Sequence, residues 1–307
     1  MKKISLLTIS LSLFCGVLLT ACSRDVKNGK QYAYYDSGKI KEEFTVHNGK
    51  KEGPYRKFDE AGQLVVEGLA KDGQKAEYRY TYYSTGQRET ESSYVNDLRQ
   101  GAAIEYYSDG SVHLKADFEN DQLNGMSKEY TQTGTLQAER TYKNGVPDGI
   151  TREYHDGQLR IEKTYKNGKL NGPVRLYSDD GQIISEKTYK DNVLDGIAKD
   201  YDSTGRIAYE YLYGQGEVVS KKEFYGNGSI MRQTSIKDGR PHVMKEYYDN
   251  GALMRERIFK KGRPVQVNEY YETGSILYKK YYENGVLVKQ EEFDPRGVST
   301  NVQTFNK

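Results

Sequence analysis

A glycine returns every 23 or 24 residues along almost the whole chain: Gly38, Gly62, Gly86, Gly110, Gly134, Gly157, Gly181, Gly205, Gly228, Gly251, Gly274 and Gly297. A fixed period in this range is the mark of a repeat array, in which each unit buries its apolar residues mainly against its neighbours. It overrides the length of 307 residues, which in an ordinary globular chain would suggest two domains. The chain is polar, with 36% hydrophobic and 29% charged residues, yet it holds 29 Tyr and 31 Gly. Tyr buries a large ring while its hydroxyl stays in reach of water, which suits a thin core. Evenly spread Gly reads as punctuation between elements rather than as a linker.

Around each marker glycine the pattern has the period of a strand. An aliphatic residue follows at plus two in ten copies, among them Ile40, Leu64, Leu136, Leu159, Ile183 and Ile207. An aromatic follows at plus eight in nine, among them Tyr94, Phe118, Tyr142, Tyr165, Tyr189 and Tyr213. The two offsets differ by an even number, so an extended chain places both on one face, whereas a helix separates them. Glu occupies plus five in eight copies, including Glu139, Glu162, Glu186 and Glu210. That odd offset faces the other way, and the carboxylates read as a wet face paired by cations such as Arg140, Lys163 and Lys187 rather than as a cation-binding row.

Two turns punctuate each unit. An aromatic lies three or four residues before each marker, as at Tyr35, Phe58, Tyr107, Tyr177 and Phe293, with turn-forming residues between. The variable offset suggests loops that differ by one residue, which also accounts for 23 against 24. A second turn, as in Lys143-Asn144-Gly145 or Lys166-Asn167-Gly168, reverses the chain again. Each repeat is therefore a β-hairpin. The predicted fold is all-β, a repetitive antiparallel meander of about twelve hairpins of 23–24 residues, extending on the order of 100 Å at roughly 4.8 Å per strand. The end copies are atypical, with Val46 and Ala70 at plus eight and Ser299 at plus two, as capping units are.

Residues 1–21 read as a signal peptide: Lys2 and Lys3, an apolar run, then Leu19-Thr20-Ala21-Cys22. The last four residues resemble the lipobox of bacterial lipoproteins. The resemblance implies cleavage before Cys22, lipid on its sulfur and a cell-envelope location. Ser23 stands where an Asp would resemble an inner-membrane retention signal, so a host with two membranes would place the protein in the outer one. Residues 22–31 read as lipidated Cys and tether, and 32–307 as the array. Cys15 would leave with the signal, making Cys22 the single cysteine and ruling out an intrachain disulfide. Loss of Lys2 and Lys3 leaves 44 basic against 44 acidic residues. Nucleic-acid binders carry a basic excess, so nucleic acid is not an expected partner.

The unit Tyr154–Gly172 (YHDGQLRIEKTYKNGKLNG) resembles the MORN repeat, and more closely its bacterial variant form. Bacterial proteins of this kind are often labelled YwqK-family antitoxins, a label that implies binding and neutralising a toxin. A second resemblance, confined to Tyr201–Ile207, is to the YD repeat of Rhs-type wall proteins.

Catalytic signals are missing from the sequence. The four histidines, His47, His113, His155 and His242, sit in different repeats at no common offset. No Gly-x-Ser-x-Gly elbow or phosphate-binding Gly-x-x-x-x-Gly-Lys-Ser/Thr loop occurs. No enzyme activity, cofactor or metal is expected. The doubled aromatics Tyr247-Tyr248, Tyr270-Tyr271 and Tyr281-Tyr282 should place one ring on each face, making the C-terminal third the candidate contact surface. The expected function is a lipid-anchored, non-catalytic scaffold that binds another protein, a toxin in the sharper form. The alternative is an envelope structural protein contacting glycan or lipid.

Overall fold

The computed structural model describes residues 27–305. The signal segment and Cys22 lie outside them. Among the described residues there are twenty-four β-strands and no helix, from β1 (Gly29–Tyr34) to β24 (Ser299–Thr304). Each strand pairs antiparallel with the strand before it and the strand after it, giving one continuous meander. β1 begins inside the 22–31 segment that composition assigns to a tether.

Turn chemistry explains the alternation. β12 (Gln158–Lys166) and β13 (Lys169–Tyr177) are joined by Asn167-Gly168 with φ of 49° and 77°. Both residues are left-handed, so the two-residue turn twists with the sheet. The other turn is built as at Tyr35–Lys39. There Gly38 N–H donates to the Tyr35 carbonyl at 2.9 Å and Tyr35 N–H donates to the Lys39 carbonyl at 2.9 Å. Gly38, at φ 79°, closes a three-residue loop. One copy departs: Asp156-Gly157 makes a two-residue turn between His155 and Gln158.

The one-residue variation in period lies elsewhere than the sequence suggests. Apart from Asp156-Gly157, the first turns share one length, and the strand after the second turn changes instead. β13 has nine residues and a bulge at Gly172, φ 122°; equivalent glycines are Gly125, Gly149 and Gly196. β17 (Glu217–Phe224) has eight and a smaller slip at Val219, with no left-handed residue. β19 (Arg240–Tyr247), β21 (Arg263–Tyr270) and β23 (Val286–Phe293) follow it. Apart from Tyr154, which precedes the shorter Asp156-Gly157 turn, the aromatic offset of three or four likewise reflects two distinct positions, the strand end (Tyr82, Tyr106) and the loop start (Tyr83, Tyr107), and not loops of different length.

A bulge also overturns the even-offset rule. Leu176 pairs with Ser185 but Tyr177 pairs with Ile183, leaving Ile184 of β14 (Ile183–Lys190) as the extra residue. Ile183 thus shares a face with Tyr177 and, two residues back along β13, with Arg175, which pairs with Glu186. The plus-two aliphatics therefore join the Glu face, opposite the plus-eight aromatics.

Among the described residues no large side chain is fully buried, because the sheet has no second layer. The residues that do leave solvent are mostly small: Ala103, Ala116, Ser127, Ala138, Thr151, Ser185 and Ala198. Ala103, Ala116 and Ser127 are direct cross-strand partners in one row. Long Tyr, Lys and Arg side chains cover such rows with their stems and rings.

Candidate interaction surface

The plus-five glutamates form one rung of an alternating ladder. Lys128, Glu139, Arg152, Glu162, Arg175, Glu186, Lys199, Glu210 and Lys222 are successive cross-strand partners. The strands run from β9 (Gln122–Tyr130) to β17. Lys128–Glu139 closes at 2.9 Å, Arg152–Glu162 at 2.9 Å, Arg175–Glu162 at 3.0 Å and Arg175–Glu186 at 2.6 Å. The hydrogen bond from Lys128 is the main cause that holds the Glu139 carboxyl below its ordinary range, with Tyr154 and Arg152 adding to it. The row is paired, but not by the cations adjacent in sequence. Arg140 and Lys163 point to the other face, where they meet Glu129 at 2.7 Å and Glu153 at 2.6 Å.

Beside this ladder, on the same face, runs an exposed apolar row. Met126 pairs with Thr141, Ile150 with Thr164, Pro173 with Thr188 and Ile197 with Leu212. Met126, Ile150, Ile197 and Leu212 are between 40% and 47% exposed, among the most open aliphatic side chains of the strands. The threonines are occupied within the sheet: Thr141 and Thr188 hydroxyls donate to the carbonyls of Ile150 and Ile197 at 3.1 and 2.8 Å. The ladder face of the central repeats is thus a flat apolar strip flanked by fixed, sign-alternating charge. Apolar area rimmed by polar groups is what a protein partner covers.

The loop-start tyrosines staple one repeat to the next. Tyr35, Tyr83, Tyr107 and Tyr225 hydroxyls donate to the carbonyls of Phe58, Tyr106, Tyr130 and Tyr247 at 2.7–2.8 Å. The expected C-terminal contact residues belong largely to this system. Tyr247, Tyr248, Tyr270, Tyr271, Tyr281 and Tyr282 are all half-buried. Tyr248 and Tyr271 donate to the carbonyls of Tyr270 and Phe293 at 3.4 and 3.1 Å. In Tyr247-Tyr248 and Tyr270-Tyr271 the first residue ends the strand and the second donates the staple, whereas Tyr281 and Tyr282 both lie within β22 (Ile276–Glu283). The exposed strip of Met126, Ile150, Ile197 and Leu212 was missed because bulges shift the strand alternation that would have revealed it.

The histidines remain apart. His113 lies against Tyr107 with ring centroids 4.6 Å apart, and His155 is 3.4 Å from Asp156 in its turn. Among the described residues no group of three or more His, Cys, Asp or Glu side chains is placed to hold a metal ion. No described helix is long and apolar enough to cross a membrane.

Seven stretches match the MORN repeat variant: residues 27–48, 51–72, 123–144, 147–167, 170–191, 243–261 and 276–294. No curated protein matches the chain. Among solved structures, a mutant of S. aureus TarM in complex with fondaparinux, alpha-GlcNAc-glycerol and UDP is 12% identical over 30% of this chain and 19% of that chain, with a TM-score of 0.25. TcdB2-TccC3 is 13% identical over 90% of this chain and 19% of that chain, at a TM-score of 0.20. A Photorhabdus luminescens Tc holotoxin pore is 12% identical over 90% of this chain and 18% of that one, at 0.19. This chain spans less than a fifth of the length of each, and at these TM-scores the likeness assigns no activity. The seven matched stretches, together just under half of the chain, make those hairpins similar to the MORN repeat variant, within one meander of common period.

Proposed function

We propose that this protein is a non-catalytic scaffold that presents the ladder face of its central repeats to another protein. The observation that supports this reading is the exposed row of Met126, Ile150, Ile197 and Leu212 beside the paired charges of Glu139, Arg152, Glu162 and Arg175. Apolar side chains at the centre of such a strip supply contact energy, and the fixed charges beside them set register and choice of partner. In the sharper form of this reading the partner is a toxin and the scaffold neutralises it. Lipid on Cys22 would hold the scaffold at the envelope, in the outer membrane of a host that has two.

The test is capture of partners from the native envelope by the full chain and by an Ile150→Asp/Ile197→Asp variant. A protein retained by the first and lost with the second supports the scaffold. Binding of glycan or liposomes with no protein captured would replace it with the rival envelope-ligand reading. Palmitate-analogue labelling that disappears in Cys22→Ala checks the anchor, and self-intoxication on deletion beside a candidate toxin checks neutralisation.

A further inference from the structure

One second turn differs in kind from the rest. Its first residue is elsewhere Asn, Asp or Gln, as at Asn144, Asn167, Asp191 and Asp238, but at 261 it is Lys, with φ 53°. Asn and Asp offset a left-handed backbone with local hydrogen bonds, whereas Lys carries the steric cost without that return. The substitution also reverses a charge. Upstream, the cation that follows one second turn meets the acid of the next: Lys50 with Asp72 at 3.3 Å and Lys169 with Asp191 at 3.9 Å. Arg240 holds the place of Lys50 and Lys169, and the residue it faces is Lys261; its Cδ lies 3.7 Å from a Cβ built on Gly262.

The result is a notch of about 430 Å³ between the two turns, lined by Lys237, Arg240, Lys260 and Lys261 with Pro241 and Phe259. Asp238 is the one acid in its lining, and His242 adds an imidazole. Among the described residues none of these four cations has an ion pair. Unpaired like charges held together by a strained turn raise the energy of the free chain and fall in energy when an anion enters. The half-buried Phe259 and the Pro241 ring give the same notch an apolar wall, which a bare inorganic anion leaves uncovered.

We propose that this notch binds an acidic peptide segment of a partner protein, one that carries an apolar side chain among its carboxylates. Arg240 offers a fork to one carboxylate, Lys237, Lys260 and Lys261 act as point charges, and the apolar side chain packs on Phe259 and Pro241. The inference rests on the scaffold reading and adds a second contact to it, one repeat beyond the Leu212 end of the apolar strip.

The experiment is fluorescence anisotropy of a labelled Glu-Glu-Phe-Glu-Glu peptide titrated with the full chain at low salt. Binding is expected to weaken at least tenfold in Lys261→Asn and in Arg240→Gln, and to vanish for a Gln-Gln-Phe-Gln-Gln peptide. Lys261→Asn restores the ordinary turn residue, so its melting temperature should hold or rise, which separates lost binding from lost folding. Equal binding of the peptide by wild type and both variants, no binding by wild type, or displacement by inorganic phosphate at matched ionic strength would each overturn the proposal. A captured partner whose affinity survives Lys261→Asn removes the notch and leaves the scaffold reading standing. Loss of capture in the strip variant, with peptide binding intact, separates the two sites.

Discussion

Gly172 lies directly across the sheet from Tyr189, with φ 122° and its Cα hydrogen turned toward Thr164. A Cβ at this position would come 3.1 Å from the Thr164 Cβ. Gly149 and Gly196 repeat the arrangement opposite Tyr165 and Tyr213 and beside Thr141 and Thr188. In these three repeats the bulge therefore favours glycine twice over, for the backbone and for the approach of the neighbouring strand.

Gly172→Ala should lower stability by about 2–4 kcal/mol, combining a strained backbone with a contact that has to open. Urea unfolding followed by circular dichroism measures it. A loss below about 1 kcal/mol would mean that the bulge relaxes freely.

Glu77 occupies the same bulge position in its own repeat, opposite Tyr94, with φ 56°. Glu77→Gly should raise stability by up to about 1 kcal/mol, since relief of left-handed strain exceeds the entropy that glycine adds to the unfolded chain. A lowered denaturation midpoint would show that the Glu side chain contributes more than its backbone costs.

Within the ladder, the Glu162 side chain is only 12% exposed and holds Arg152 and Arg175 at 2.9 and 3.0 Å. Glu162→Gln leaves two half-buried guanidiniums short of an acceptor and should cost about 1–3 kcal/mol. Glu153→Gln, at a 39% exposed side chain with a single partner, should cost no more than about 1 kcal/mol. Equal losses in the two variants would contradict the ladder as a cooperative row.

Tyrosines make the sheet sensitive to alkali. Burial, and then the hydrogen bond to Glu67, push the Tyr82 hydroxyl up to about 12 from the ordinary 10.0. Burial likewise pushes Tyr106, Tyr154, Tyr177, Tyr201 and Tyr270 up. A phenol that keeps its proton in the folded chain ionises first in the unfolded chain. The stability these groups add is therefore complete below about pH 10 and falls as pH climbs toward 12. Denaturation midpoints across that window should drop, with a shallower fall in Tyr82→Phe.

Hairpin count, period and strand pairing were legible because each rests on local chemistry: Asn-Gly demands one turn, and a Gly at the end of three polar residues demands the other. Faces were not legible. Ile183 and Tyr189 are six apart and would align in a regular strand, but the extra residue Ile184 breaks the count, and an inserted residue leaves no trace in a hydrophobic pattern. The partners of Glu162 were hidden for the same reason, since Arg152 and Arg175 are neighbours only across strands. The role of the glycine that follows the second turn does leave a trace in the sequence. It sits eight residues after a Thr at Thr141, Thr164 and Thr188, a spacing that a hairpin turns into contact.

Because every strand pairs only with its sequence neighbours, no contact of the meander waits for a distant part of the chain. Folding can start at whichever hairpin forms first and spread outward by one strand at a time, with little loop entropy to overcome at each step. A chain cut between hairpins should keep the structure of what remains, and a nascent one can acquire its final pairing while its far end is still being made.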